Sequence, residues 1–330
     1  MPFDYVPPMS ARRRPLIVRL RNWVGDVTLG VPLLQRLADE GCELQLVGKG
    51  WARDLLAGHG WPMHVLPKTW RERVALLRQL KQQTGAADAG RGPNALCLPY
   101  SFSSALEFRL AGLRALGYAY EGRSLLLSRA VARPRGVHEL QVYWALGDAL
   151  LGAVRPPPPA IGLRVSAEHR ARAHALRATH GIEPGCIVIC PFAGGTWAKQ
   201  DKTWPGFAAF AAQVLPAFGR TVVVCPGPGG EEAAARAHFA GARLLAGVDL
   251  GTYAALLEDA AVMVSNDTGP GHMAAAVGTP LVSVLGPSDP ALWRAWGPTV
   301  QVLQGHGTWP DAAQVQAAVA RALGPAHHSR

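Results

Sequence analysis

Residues 262–290 read VMVSNDTGPGHMAAAVGTPLVSVLGPSDP. An apolar run, Ala261 to Val264, stops at the polar elbow Ser265-Asn266-Asp267-Thr268-Gly269-Pro270-Gly271-His272. Small residues follow at helical spacing (Met273 to Val277). Gly278-Thr279-Pro280 then breaks the helix before a second apolar run, Leu281 to Leu285. Strand, elbow, helix, strand is one βαβ unit. The elbow lies at the carboxyl end of the first strand, the edge at which open α/β sheets bind ligands. A helix N-terminus there presents free backbone N–H groups, so the expected guest is an anion such as phosphate. Gly269 and Gly271 keep the backbone accessible, Pro270 suits a first helical turn, and His272 lies in that turn.

The same alternation runs through the chain. Strands are expected at Pro15–Leu20, Glu43–Val47, Ala95–Leu98, Cys186–Cys190, Thr221–Cys225 and Val300–Leu303. Between them the pattern predicts helices at Val27–Asp39, Trp70–Gln83, Ser104–Ala111, His138–Leu150, Ser166–His180, Trp204–Leu215, Glu231–Phe239, Thr252–Asp259 and Asp311–Leu323. Such alternation predicts an α/β protein with mostly parallel sheets. Arg155-Pro156-Pro157-Pro158-Pro159-Ala160 can continue neither a helix nor a central strand. The expectation is two domains, residues 1–155 and 156–330, with a cleft between them.

The 330 residues suffice for two cores, and 49% hydrophobic against 17% charged residues is a globular composition. No apolar run reaches transmembrane length, and the N-terminus lacks a secretory pattern. The five cysteines are scattered through strand-like runs without zinc-ligand spacing, which suits reduced, buried thiols in a cytoplasmic protein. The first 150 residues carry 20 Lys and Arg against 12 Asp and Glu. An anionic partner follows: nucleic acid, a membrane surface or a phosphorylated substrate. No zinc-finger, RNA-recognition or helix-turn-helix signature is present, which disfavours nucleic acid.

Four segments after predicted strands carry the chemistry. Asn22-Trp23-Val24-Gly25-Asp26 places Asp26 at or beside a helix N-cap, where it either caps the helix or faces the cleft as a proton acceptor. Pro191–Pro205 combines Gly194, Gly195 and Thr196 with Lys199 and Lys202, two of only five lysines in the chain. These residues suit phosphate oxygens, although the sequence is not a P-loop. Cys225-Pro226-Gly227-Pro228-Gly229-Gly230-Glu231-Glu232 offers glycines for a nucleotide and Glu231 or Glu232 for ribose hydroxyls. Equally, both glutamates suit the positive end of a helix. The spacing disfavours a nicotinamide cofactor. In the elbow, Asp267 and Thr268 end the strand, and His272 points near whatever the N–H groups hold.

Trp23-Val24-Gly25-Asp26, Lys202-Thr203-Trp204-Pro205, Asn266 to His272 and Gly286-Pro287-Ser288-Asp289-Pro290 together resemble the ADP-heptose:lipopolysaccharide heptosyltransferases of glycosyltransferase family 9. The likeness spans roughly residues 15–325, and the Trp-Val-Gly-Asp form is most similar to heptosyltransferase II. The resemblance implies a GT-B fold: two Rossmann-like domains facing each other across a cleft, the acceptor on the N-terminal one and the nucleotide sugar on the C-terminal one. It implies inverting, metal-independent transfer of heptose from ADP-heptose to a Kdo- or heptose-bearing lipid A core, at the cytoplasmic face of an anionic inner membrane, with no cofactor. Asp26 would be the general base. Thr196 and Lys202 would hold the pyrophosphate, and Lys202 would offset charge on the leaving ADP. Asp267 would face the donor sugar and Thr268 and Gly269 the phosphate. Glu231 or Glu232 would bind the ribose, and the backbone near Val248 the adenine. The donor loop departs from the family, having Gly194-Gly195-Thr196-Trp197 where further basic residues are usual. Two other readings compete: a different GT-B enzyme, such as another family 9 transferase or a sugar-nucleotide epimerase, and a non-catalytic binding protein on the same fold.

Overall fold

A computed structural model of the chain describes residues 14–86, 92–194, 196–197, 200–286, 288–304 and 308–324. The first sheet holds β1 (Arg14–Arg19), β2 (Cys42–Gly48), β3 (Met63–Val65), β4 (Ala95–Cys97), β5 (Ala115–Tyr118) and β6 (Arg129–Val131), all parallel, in the order β3-β2-β1-β4-β5-β6. In the second half, β7 (Ile187–Cys190) leads through an antiparallel hairpin of β8 (Thr196–Trp197) and β9 (Gln200–Asp201) to a second parallel sheet. That sheet adds β10 (Val222–Val224), β11 (Arg243–Leu244), β12 (Val262–Asn266), β13 (Leu281–Leu285) and β14 (Val300–Gln304), in the order β11-β10-β7-β12-β13-β14. Renumbered from its own first strand, the second sheet repeats the order of the first. Each therefore reverses direction beside its first strand, at β1/β4 and at β7/β12, and such a switch point opens a crevice at the carboxyl edge.

The central strands form because they are apolar on both faces. Ile187, Val188 and Ile189 of β7 and Leu281, Val282, Val284 and Leu285 of β13 are all buried, as parallel strands sandwiched between helices must be. Each such side chain contributes about 1.5–3 kcal/mol of burial. The covering helices are α1 (Val24–Asp39), α2 (Ala52–Leu56), α3 (Trp70–Gln83), α4 (Phe102–Leu110), α5 (Glu139–Leu151), α6 (Ala167–His180), α7 (Phe207–Gln213), α8 (Glu231–His238), α9 (Leu250–Glu258), α10 (Gly269–Val277), α11 (Pro290–Trp293) and α12 (Ala312–Leu323). None of them is long and apolar enough to cross a membrane.

The two halves meet through α1 against α10 and α2 against α9. One buried cluster runs through both, from Leu16, Leu20 and Val27 to Tyr253, Met273 and Ala274. Glycines allow the approach. A Cβ on Gly25 would lie 2.9 Å from the His272 ring, one on Gly269 2.8 Å from Val24, and one on Gly251 2.6 Å from the Asp54 carbonyl oxygen. Polar bonds add to the seam. His138 Nε2–H donates to the Arg294 carbonyl (2.8 Å), and the Arg164 N–H donates to His59 Nε2 (3.1 Å).

Several boundaries differ from the sequence reading. Helix α1 begins at Val24 instead of Val27, with Trp23 as an N-cap that makes no side-chain bond, so Asp26 sits inside the first turn and is not the cap. Helix α10 begins at Gly269 instead of Met273, which draws His272 into the helix proper. Strands β3, β5, β6 and β11 were not anticipated; each has two to four residues, too few to display a period.

Candidate active site

Both carboxyl edges open onto one cavity of about 730 Å3. From the first half it is lined by Trp23, Val24, Gly25 and Asp26, and from the second by Lys202, Glu231, Val248, Asp267, Thr268, Gly269 and His272. Residues separated by more than 240 positions are thereby brought to one space, because each follows the strand at its sheet's switch point.

Asp26 is set by three elements. It stands in the first turn of α1, where a negative charge is favoured by the helix dipole. The Tyr143 hydroxyl of α5 donates to its Oδ1 at 2.8 Å. Arg21, in the loop after β1, brings Nη2 to 3.6 Å from the same oxygen while its guanidinium lies 4.2 Å from the centroid of Tyr100. The carboxylate is only 10% exposed.

On the opposite wall, Lys202 Nζ lies 2.9 Å from Asp267 Oδ2, which also accepts a 2.6 Å hydrogen bond from Ser288. Buried Asn266 secures this arrangement: its Oδ1 accepts from the Trp204 N–H (3.0 Å) and its Nδ2–H donates to the Pro191 carbonyl (2.7 Å). Both ends of the Lys202 loop are thus fastened to the end of β12. His272 Nε2 is 4.0 Å from Asp267 Oδ1, and its Nδ1 is buried without a hydrogen-bond partner. Burial pushes the His272 pKa down, against the raising effect of Asp267 and Asp26, so the imidazole is neutral near pH 7.

Glu231 and Glu232 separate cleanly. Glu231 lines the cavity, and its Oε2 accepts from the Gly227 N–H at 2.7 Å, closing the turn before α8. Glu232 is exposed, pairs with Arg236 at 2.7 Å on the outer face and is not among the cavity-lining residues. The Thr196 backbone lies in β8, but its side chain, like Gly195 and Lys199, falls outside the described residues. Val248 lines the cavity beside Leu250 and Tyr253.

Sequence reasoning missed Tyr143, Arg21 and Ser288 as site residues. Tyr143 sits within an apolar helix and gave no signal. Ser288 reads as a turn residue. Arg21 was one arginine among many. The buried thiol of Cys190 also lines the cavity, but burial raises its pKa to about 12, which makes it a poor nucleophile. At one end of the cavity, the ligand-capable atoms of Asp54, His169 and Asp249 lie within 4.8 Å of one another. Asp249 already accepts from the Thr252 N–H and hydroxyl and pairs with His169 and Arg172, so ordinary hydrogen bonding accounts for much of this group.

Comparison with known proteins agrees with the geometry. The sequence profile of glycosyltransferase family 9 (heptosyltransferase) matches residues 73–320. Lipopolysaccharide heptosyltransferase 3 of Escherichia coli is 34% identical over 125 residues, a segment covering 35% of this chain and 35% of that relative's length. Among solved structures, E. coli ADP-heptose lps heptosyltransferase II superposes with a TM-score of 0.75 at 23% identity, covering 94% of this chain and 98% of the other. A family 9 glycosyltransferase from Veillonella parvula gives a TM-score of 0.78 at 18% identity, covering 96% and 98%. The two six-stranded sheets are the GT-B arrangement expected from the sequence. The chain belongs to glycosyltransferase family 9.

Proposed function

We propose that this member of glycosyltransferase family 9 transfers heptose from ADP-heptose to the inner core of lipopolysaccharide, with inversion and without a metal ion. The observation that carries the proposal is the convergence of Asp26 with Lys202 and Asp267 on one cavity from opposite halves of the chain. The likeness to E. coli ADP-heptose lps heptosyltransferase II is what suggests ADP-heptose as the donor and lipopolysaccharide as the acceptor in this reading.

In this reading residues 1–155 hold the acceptor and residues 156–330 the donor. Asp26 takes the proton from the acceptor hydroxyl as that oxygen attacks the anomeric carbon from the face opposite ADP. The diphosphate occupies the start of α10, where Thr268, Gly269 and Thr196 meet it, and Lys202 turns from Asp267 to the phosphates. That cation, the helix dipole and the backbone N–H groups stabilise charge developing on the leaving ADP. Asp267, released from Lys202 but still held by Ser288, faces the sugar, and neutral His272 contributes a hydrogen bond. Glu231 binds the ribose and the backbone near Val248 the adenine. The basic first half would rest on an anionic membrane from the cytoplasmic side.

Mass spectrometry with ADP-heptose and heptose-deficient core lipopolysaccharide, run in excess chelator, tests the reading. Addition of one heptose is the expected result. Turnover with UDP-sugars alone, or a strict requirement for a divalent ion, would overturn it.

A further inference from the structure

We propose that Tyr143 is a positioning residue for Asp26: its hydroxyl clamps Oδ1 and leaves Oδ2 as the atom that receives the acceptor's proton. The inference rests on the assignment of Asp26 as general base.

The geometry is asymmetric. Both polar contacts to the carboxylate, the Tyr143 hydroxyl at 2.8 Å and Arg21 Nη2 at 3.6 Å, converge on Oδ1. Tyr143 is 1% exposed and comes from α5, 117 residues further along the chain. Neighbours on every side hold its ring, since α5 packs on α1 and lies within the shared core. The hydroxyl therefore cannot follow a carboxylate that rotates. Partial rotation about χ2 of Asp26 would break this bond, and a half-turn only restores it with the equivalent oxygen, so the plane of the carboxylate is held in one orientation with one oxygen left free.

The donor is also chemically persistent. Burial and the adjacent Asp26 charge both push the Tyr143 phenol well above its ordinary value. It stays protonated near neutral pH, and a protonated phenol beside a carboxylate donates to it. The other groups facing the carboxylate are Arg21 after β1 and His272 of α10, with Tyr100 and Glu139 around Arg21 and Tyr143, and with Lys202 and Asp267 beyond His272. Among those neighbours Tyr143 donates a hydrogen bond to Asp26.

The test is the pH dependence of heptosyl transfer in the wild type, Tyr143→Phe and Asp26→Asn, with donor binding and thermal melting measured alongside. In Tyr143→Phe the carboxylate loses a donor, so the acidic limb moves to higher pH by about one unit. Its plateau kcat falls about tenfold as the base loses its orientation, and KM for ADP-heptose is unchanged. Site-specific 3-fluorotyrosine, a stronger donor with the same shape, moves the limb to lower pH and serves if the phenylalanine variant fails to fold. A limb and plateau that stay at wild-type values in both variants, with Asp26→Asn inactive, overturn the positioning role alone. Wild-type turnover by Asp26→Asn overturns the base assignment and this inference with it.

Discussion

Lys202 Nζ and Asp267 Oδ2 are 2.9 Å apart, and both side chains face the cavity. In the proposed mechanism this cation serves a diphosphate, and it is held at the end of β12 by a carboxylate that can release it. Little reorganisation is then needed when phosphate arrives, since Ser288 retains its bond to Asp267. Lys202→Ala should lower kcat/KM for heptosyl transfer by about 10²- to 10³-fold, the scale of losing one transition-state donor. It should also weaken ADP binding in calorimetry. A loss below about threefold would remove Lys202 from the charge-stabilising role.

Asp26→Asn keeps the shape and removes the proposed base. Turnover should fall by about 10²- to 10⁴-fold, while ADP affinity remains at the wild-type value because the proposed donor contacts lie on the other half. Loss of ADP binding in the variant would mean that Asp26 acts on the donor instead.

The seam between the halves depends on missing side chains. In Gly251→Ala the new Cβ would stand 2.6 Å from both the Asp54 carbonyl oxygen and the His169 ring. Backbone cannot yield as a flexible side chain does, so a destabilisation of about 1–3 kcal/mol and a wider spacing of the halves in solution scattering are expected. Gly30→Ala in α1 is the control. No heavy atom lies within 4 Å of its added Cβ, and alanine favours the helix by about 1 kcal/mol. Equal melting shifts in the two variants would contradict this account.

Acid should loosen the seam at His59 and the start of α5 at His138. Burial, the main cause, holds His138 and His59 near a pKa of about 4, below the ordinary histidine value of 6.5. Protonation of His59 would remove the acceptor for the Arg164 N–H, and protonation of His138 the acceptor for the Leu140 N–H. A depressed folded pKa means the unfolded chain binds the proton first. Stability is therefore full above about pH 6.5 and is lost as pH falls towards 4, by up to about 3 kcal/mol for the deeply buried His138. Melting temperature measured from pH 7.5 to 4.5 should fall, and His138→Gln should flatten the slope. An unchanged slope in that variant would rule out His138 as the titrating group.

The cavity-facing side chains were readable because they follow apolar strands. Asp26, Lys202, Asp267 and His272 each stand in a polar interruption after such a run, and the ligand edge of an α/β sheet is fixed by topology. Glu231 could not be told from Glu232 in sequence, since which one faces inward depends on the rotation of a helix whose first turn is set by Gly229 and Gly230. Tyr143 was invisible for the opposite reason: a tyrosine in an apolar helix looks like core, and it is core apart from one oxygen atom. The repeated strand order was equally hidden. The two sheets share a path and not a sequence, and strands as short as Arg243–Leu244 leave no periodic trace.

The buried cluster that runs from Leu16 to Met273 joins the two halves in one continuous core. A chain severed in the proline spacer would leave each fragment with a raw apolar wall where α1 met α10. The two pieces would be insoluble apart and would restore function only when refolded together. Inherited recombination between such chains would therefore have to exchange matching walls as well as specificities, which ties the evolution of the first half to that of the second.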